Sequence, residues 1–189
     1  MAFPLCFLLK MQKSFYLLRT FYYKCKIDNL DMPIFQVKRF PVTWFWRAVA
    51  SGFGIGFVPG IPGTLGTLLA MPLWFLGGGS GMAHMGILAA VVLLSIPAAR
   101  VEIRETGIKD PPSVVIDEIA GMLLAATGIP WGWKPALLLF LLFRFFDILK
   151  FGPVAWADAR EGPIYVVADD LAAGVYANLA YRGIQWLAG

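Results

Sequence analysis

In the stretch Phe143–Gly174, Arg144, Asp147, Lys150, Asp169 and Asp170 are set among long apolar runs. Charge inside an apolar segment is costly to place in lipid, so such groups face protein or a wet cavity and mark function. A second acidic insertion, Asp117-Glu118, interrupts the apolar run SVVIDEIAGMLLA upstream. Neighbouring residues on a helix point about 100° apart, so one acid of each pair can face inward while the other supports it. Like charges this close in a low dielectric repel unless a cation lies between them. Magnesium takes hard oxygen ligands and commonly joins one or two carboxylates to a substrate phosphate. The acids are the expected source of Mg2+ ligands, with Asp117, Glu118, Asp147 and Asp170 the candidates; residue types alone do not say which holds metal and which acts as base or nucleophile. No His or Cys cluster offers a softer zinc or copper site.

Arg144, Asp147 and Lys150 recur every three residues and share one broad face of a helix end. They could form a local ion-pair ladder with the lysine snorkelling to headgroups, but that leaves the carboxylate pairs elsewhere without a reason. Arginine suits bidentate phosphate recognition. The Gly/Pro-rich loop Pro59–Thr67 feeds a further helix, with Gly63 and Thr64 near its start and Thr64 placed to cap it. Free amides at a helix start suit an anion; the alternative is a simple tight turn. The catalytic candidates are Asp117, Glu118, Asp147, Asp169 and Asp170. The phosphate-binding candidates are Arg144, Lys150, Gly63 and Thr64. Together they are the parts of metal-assisted phosphoryl transfer, with a metal-bound water or a carboxylate as nucleophile. The sequence has no Cys-x5-Arg and no Asp-x-Asp pattern, so cysteine-phosphatase and that aspartyl-phosphate route are unsupported. Two other classes use the same residues. A cation transporter or channel would hold the acids near the bilayer midplane with a route to both faces. A lipid-binding module would show no magnesium-dependent turnover.

The elements that must position these groups are apolar. Of 189 residues, 59% are hydrophobic and 15% charged, and the mean hydropathy is +0.70. Soluble domains hold about 45–50% apolar and about 25% charged residues, so the composition points to an integral membrane protein of one domain. The net charge of +4 is carried largely by the first forty residues. That suits anionic lipid and not nucleic acid, for no basic stripe with interleaved aromatics recurs later. Cys6 and Cys25 form neither a zinc pattern nor a disulfide framework. His84, the single histidine, has no partner motif and reads as an interfacial side chain. Residues 1–31 read as a non-catalytic extension or as a basic amphipathic surface segment. Residues 32–189 read as a single membrane domain.

Segment 43–58 carries Trp44, Trp46 and Arg47 and reads as interfacial or re-entrant. Apolar segments follow at 65–78, 82–99, 113–129, 135–149 and 163–187. Residues 100–110 read as a surface helix and loop, and 150–162 as a polar loop. The expected fold is all-α: a polytopic membrane bundle of about four spanning helices plus an N-terminal interfacial or re-entrant helix. With the basic N-terminal region in the cytoplasm, alternating crossings bring the acids and bases within about 10 Å of one membrane face, the cytoplasmic one. Small residues after each acid pair, Ala120-Gly121 and Ala172-Ala173-Gly174, let helices approach closely there.

Four blocks, GFGIGFVPGIPGTLGT, KDPPSVVIDEIAGM, FRFFDILKFGPVAWADAR and GPIYVVADDLAAGV, resemble in order and spacing the signature blocks of the bacterial phosphatidylglycerophosphatase A family, over about residues 43–187. The resemblance implies a magnesium-dependent, multi-pass inner-membrane enzyme with its site facing the cytoplasm. Such an enzyme hydrolyses phosphatidylglycerophosphate to phosphatidylglycerol and inorganic phosphate, a step of phospholipid biosynthesis. It also implies Asp117, Glu118, Arg144, Asp147, Lys150, Asp169 and Asp170 as polar site residues, with Pro62, Gly63 and Thr64 in the loop. In that family a proline often follows the lysine directly. Here Phe151 follows Lys150 and proline comes at 153, which leaves the path of that loop open.

Overall fold

The computed structural model describes residues 40–79 and 81–188. The expectations for residues 1–31, Cys6 and Cys25 lie outside the described residues. Among those described, regular structure is helical throughout: α1 (Phe40–Ala50), a 3-10 turn (Ile55–Phe57), α2 (Pro62–Gly77), α3 (Met82–Thr106), α4 (Ile116–Ala125), α5 (Trp133–Leu149), α6 (Pro153–Asp158) and α7 (Pro163–Ala188).

The hub is α4. Ile116, Ile119, Met122, Leu123 and Ala125 are buried, and α2, α3, α5 and α7 pack around them. The shared core draws Trp74 from α2, Leu88 from α3, Leu139 and Phe143 from α5, and Ala173 and Ala177 from α7. At ten residues α4 rises only about 15 Å. Gly121 is where α4 meets α7 most closely: a Cβ there would lie 2.6 Å from the Asp170 carbonyl oxygen, and one on Gly174 would collide with the Gly121 carbonyl. The small residues after both acid pairs thus let two backbones touch just beyond the acids.

α2 runs from the Gly/Pro loop to the far end, α3 returns, α4 leaves again, α5 returns and α7 leaves. The far end is tied by polar caps. Trp74 Nε1 donates to the Ile129 carbonyl at 3.0 Å. Asn178 Nδ2 donates to the Ala125 and Thr127 carbonyls at 2.7 and 2.8 Å. Arg182 Nη2 donates to the Thr127 carbonyl at 3.0 Å. The last carbonyls of a helix have no partner within it, and for α4 and the turn after it three side chains from α2 and α7 supply one.

His84 belongs to this set and is not interfacial. It is fully buried, with Nε2 3.0 Å from the Leu123 carbonyl oxygen and 3.3 Å from the Thr127 hydroxyl. A buried carbonyl acceptor needs a donor, and the imidazole, protonated at Nε2, supplies it. Residues 100–106 continue α3 and are not a separate surface helix. Glu102 is completely buried, accepting from Arg47 Nε at 2.9 Å and from Ser113 Oγ at 2.7 Å. Residues 150–162 contain α6 and are not a plain loop.

Among the described residues one helix, α3, is long and apolar enough to cross a membrane. α2 has 16 residues and α5 has 17, short of the roughly 20 that a full crossing takes. α7 is long enough at 26 residues but carries Asp169, Asp170 and Arg182.

Candidate active site

At the opposite end from those caps, four helix ends meet round a cavity of about 230 Å³. Its walls are the start of α2, the loop before α4 with the first turn of α4, the last turns of α5, and the second turn of α7. Every residue singled out from the sequence lines it: Gly63, Thr64, Asp117, Glu118, Arg144, Asp147, Lys150, Asp169 and Asp170. The convergence expected from alternating helices is present.

Local chemistry explains each wall. Gly60, at φ +93°, turns the chain into α2 where a side chain would be strained. Pro62 occupies the first helical position, where a missing N–H costs nothing. Ile61 is the N-cap, so Thr64 stands inside the first turn and does not cap the helix. Amides of a first helical turn have no intrahelical acceptor, and Gly63 and Thr64 bring theirs to the cavity wall. A Cβ on Gly63 would run into the Glu118 carboxylate and lie 3.0 Å from Arg144 Nη1. Glycine here is a condition of the approach between α2 and the charged groups.

Asp117 and Glu118 occupy the first turn of α4, one turn nearer the helix start than the apolar run suggests. The positive end of the helix dipole favours acids there. Asp117 Oδ1 accepts the Glu118 N–H at 3.0 Å, and Asp169 Oδ1 accepts the Asp170 N–H at 3.0 Å. In each pair the first acid is anchored to the backbone of the second. Carboxylate oxygens of Asp117, Glu118 and Asp170 all lie within 4.8 Å of one another. The remaining oxygen of Glu118, Oε2, is buried without a hydrogen-bond partner.

The other two acids are held by cations. Arg144 Nη1 lies 2.8 Å from Asp147 Oδ2, but off the hydrogen-bonding direction, so the buried N–H keeps an unmet donor. Asp147, expected among the metal ligands, is placed in this pair and not in the trio. Lys150 Nζ donates to Asp158 Oδ1 at 2.5 Å and Asp169 Oδ2 at 3.1 Å. Burial opposes its charged form, but Asp158 and Asp169 outweigh that and hold its pKa above the ordinary lysine value. Its backbone is left-handed, φ 41°, a strained conformation for a residue with a side chain.

Two contributors went unassigned at the level of sequence. Asp110 lines the cavity beside Pro111 and Pro112, and burial pushes its carboxyl above the ordinary range against the pull of Lys150. Asp158 is the second partner of Lys150. Both lie in the blocks KDPPSVVIDE and AWADAR, but in segments that read as solvated loop. With Asp110 added, and Asp158 outside the lining, six carboxylates face two cations across the cavity. That excess, an all-oxygen donor set and an orphaned carboxylate oxygen fit a hard divalent cation such as Mg2+ at the Asp117–Glu118–Asp170 trio.

The family model described as PgpA, phosphatidylglycerophosphatase A, matches residues 48–185. A protein of Escherichia coli K12 named phosphatidylglycerophosphatase A is 33% identical over 154 residues, covering 76% of this chain and 87% of that protein. One of the same name from Haemophilus influenzae Rd is 33% identical over 149 residues, 73% of this chain and 87% of that protein. A Bacteroides thetaiotaomicron protein, provisionally named a phosphatidylinositol-3-phosphatase, is 34% identical over 157 residues, 75% of this chain and 94% of that protein. No solved structure matches. With the matched span running from α1 to the last turn of α7 and holding every wall of the cavity, the chain belongs to the phosphatidylglycerophosphatase A family.

Proposed function

We propose that this chain hydrolyses the terminal phosphomonoester of phosphatidylglycerophosphate, giving phosphatidylglycerol and inorganic phosphate, with Mg2+ bound by Asp117, Glu118 and Asp170. The observation that carries it is the division of charge within one cavity: an acid trio on α4 and α7, and phosphate-type cations on α5 beside the first turn of α2. The unmet N–H of Arg144 is a donor awaiting an acceptor, and a phosphate oxygen is the acceptor arginine suits best. Lys150 adds a fixed positive charge, and the amides of Gly63 and Thr64 add neutral donors. Asp147 and Asp169 orient the two cations. In the reaction a water oxygen bonds to phosphorus as the bond from phosphorus to the glycerol oxygen breaks. A carboxylate of the cavity takes the water proton, and the departing glycerol oxygen gains one. Bound Mg2+ would supply the charge that offsets the acids and the incoming phosphate. The geometry favours this over a transport path, because the acids cluster at one end of the bundle and the far end is closed by structural caps.

The same reading includes a multi-pass arrangement with the cavity at the cytoplasmic face. Leu137, Leu141, Phe145 and Ile148 leave an exposed apolar stripe along α5, and Val175, Leu179 and Trp186 another along α7. Monomeric soluble surfaces rarely carry such stripes, and lipid would cover them. Arg100, Arg104, Lys109 and Arg160 lie at the cavity end and Lys134 and Arg182 at the other, the bias expected of a cytoplasmic face. The test is phosphate release from phosphatidylglycerophosphate by purified protein in detergent. Turnover that EDTA stops and Mg2+ restores supports the reading, and no release with Mg2+ present refutes it.

A further inference from the structure

A second, shallower hollow lies beside the cavity and shares Asp110, Val166 and Asp169 with it. Its own lining includes Lys109, Arg160, Tyr165 and Asp158, the last paired with Lys150. Both cations are held in place by neutral groups. Lys109 Nζ donates to the Asp158 carbonyl at 2.6 Å. Arg160 Nη1 donates to the Trp156 carbonyl at 2.9 Å, and its guanidinium lies 3.5 Å over the Trp156 ring. Among the described residues neither cation has a carboxylate oxygen within ion-pairing distance. A carbonyl or a ring face fixes a cation without neutralising it, so their charge stays available. This differs from Arg47, Arg144 and Lys150, each matched to an acid.

Building on the proposed phosphomonoesterase reading, we propose that Lys109 and Arg160 bind the bridging phosphodiester of the lipid, while the main cavity takes its terminal monoester. The substrates named for the relatives are phospholipids with a glyceryl-linked phosphodiester and a separate monoester. Two phosphates on one headgroup call for two sets of cationic contacts: the cavity provides one, and the shallow hollow, which at about 10 Å³ cannot enclose a phosphate, presents Lys109 and Arg160 at the surface beside it for a diester that lies across them. Trp156, exposed at the surface, places this subsite on the side where a headgroup leads to its acyl chains. The pair would then set specificity: a lipid with a monoester alone, such as phosphatidic acid, could fill the cavity but would not lie across the pair.

The test compares the full chain with Lys109→Ala, Arg160→Ala and the double variant, in mixed micelles with Mg2+. Phosphatidylglycerophosphate and phosphatidic acid are the substrates, and inorganic phosphate is the inhibitor. The double variant should raise KM for phosphatidylglycerophosphate about tenfold or more, as expected for lost charged hydrogen bonds. Its kcat should change less than about threefold, and inhibition by inorganic phosphate, which needs only the main cavity, should not move. Preference for the diester-bearing lipid over phosphatidic acid should shrink by the same factor, with Arg160→Lys intermediate. An unchanged KM overturns the proposal. So does a KM that rises together with the phosphate inhibition constant, for that would make the cations a general attractor. Wild-type protein inactive on phosphatidylglycerophosphate refutes the underlying phosphatase reading as well, an outcome distinct from active enzyme with unaltered selectivity in the variants.

Discussion

The C-terminal end of α4 and the turn after it hand carbonyls to Asn178, Arg182, Trp74 and His84. The N-terminal end gathers Asp117, Glu118 and Asp170, with Glu118 Oε2 and Arg144 Nη1 left unmet in buried positions. The two ends are one short helix apart. One is closed, its carbonyls matched to side-chain donors, with the His84 Nδ1 left as a buried ring nitrogen without a partner. The other concentrates like charge and unused donors, as a ligand site requires. An unmet buried atom occurs at each end, so what separates site from scaffold in this core is the gathering of charged groups at one end.

Exchanging the character of the two ends tests that contrast. The largest effect is expected at the acid trio. Asp170→Asn or Glu118→Gln should cut phosphate release by about 10²–10⁴-fold, the range associated with a positioned catalytic group. The melting temperature should stay level or rise, because repulsion between buried acids is relieved. Loss of folding in both variants would make the trio structural. Gly63→Ala should be milder. The new methyl pushes on the Glu118 and Arg144 side chains and should lower kcat/KM about tenfold by misplacing them, with Mg2+-dependent turnover retained. Wild-type kcat/KM in Gly63→Ala would remove α2 from the site. At the closed end, Asn178→Leu strands the Ala125 carbonyl and leaves that of Thr127 to Arg182 alone, and should cost about 1–3 kcal/mol of stability, read by thermal unfolding. Its kcat per folded molecule should be nearly unaltered. A larger fall in kcat than in stability would show that the two ends are coupled.

Asn178 and His84 also show where sequence reading stops. Beside Thr127 and Arg182, the partners that fix their place are backbone carbonyls, which leave no mark in residue types. The site was legible for the opposite reason. Carboxylates and cations in apolar runs are conspicuous, and helix alternation alone carries Gly63, Asp117, Asp147 and Asp169 to one end of the bundle. What alternation does not resolve is pairing. Equal spacing of Arg144, Asp147 and Lys150 suggests one ladder, yet Lys150 turns away at a left-handed residue to meet Asp158 and Asp169. Glu102 was hidden by its position among exposed charges, where its burial against Arg47 and Ser113 follows only from the packing of α1 on α3.

The contact of Gly121 with Gly174 bears on how the cavity responds to its surroundings. Main chain against main chain leaves no compliant side-chain layer between the segments that carry the acid trio, so their separation is set like the jaws of a locked caliper. Arg144 and Lys150 hang instead from α5, whose outer flank is bare. On the proposed reading, lateral pressure or a change of lipid that tilts that outer helix would shift the hold of Arg144 and Lys150 on phosphate while the spacing of the three acids keeps its width.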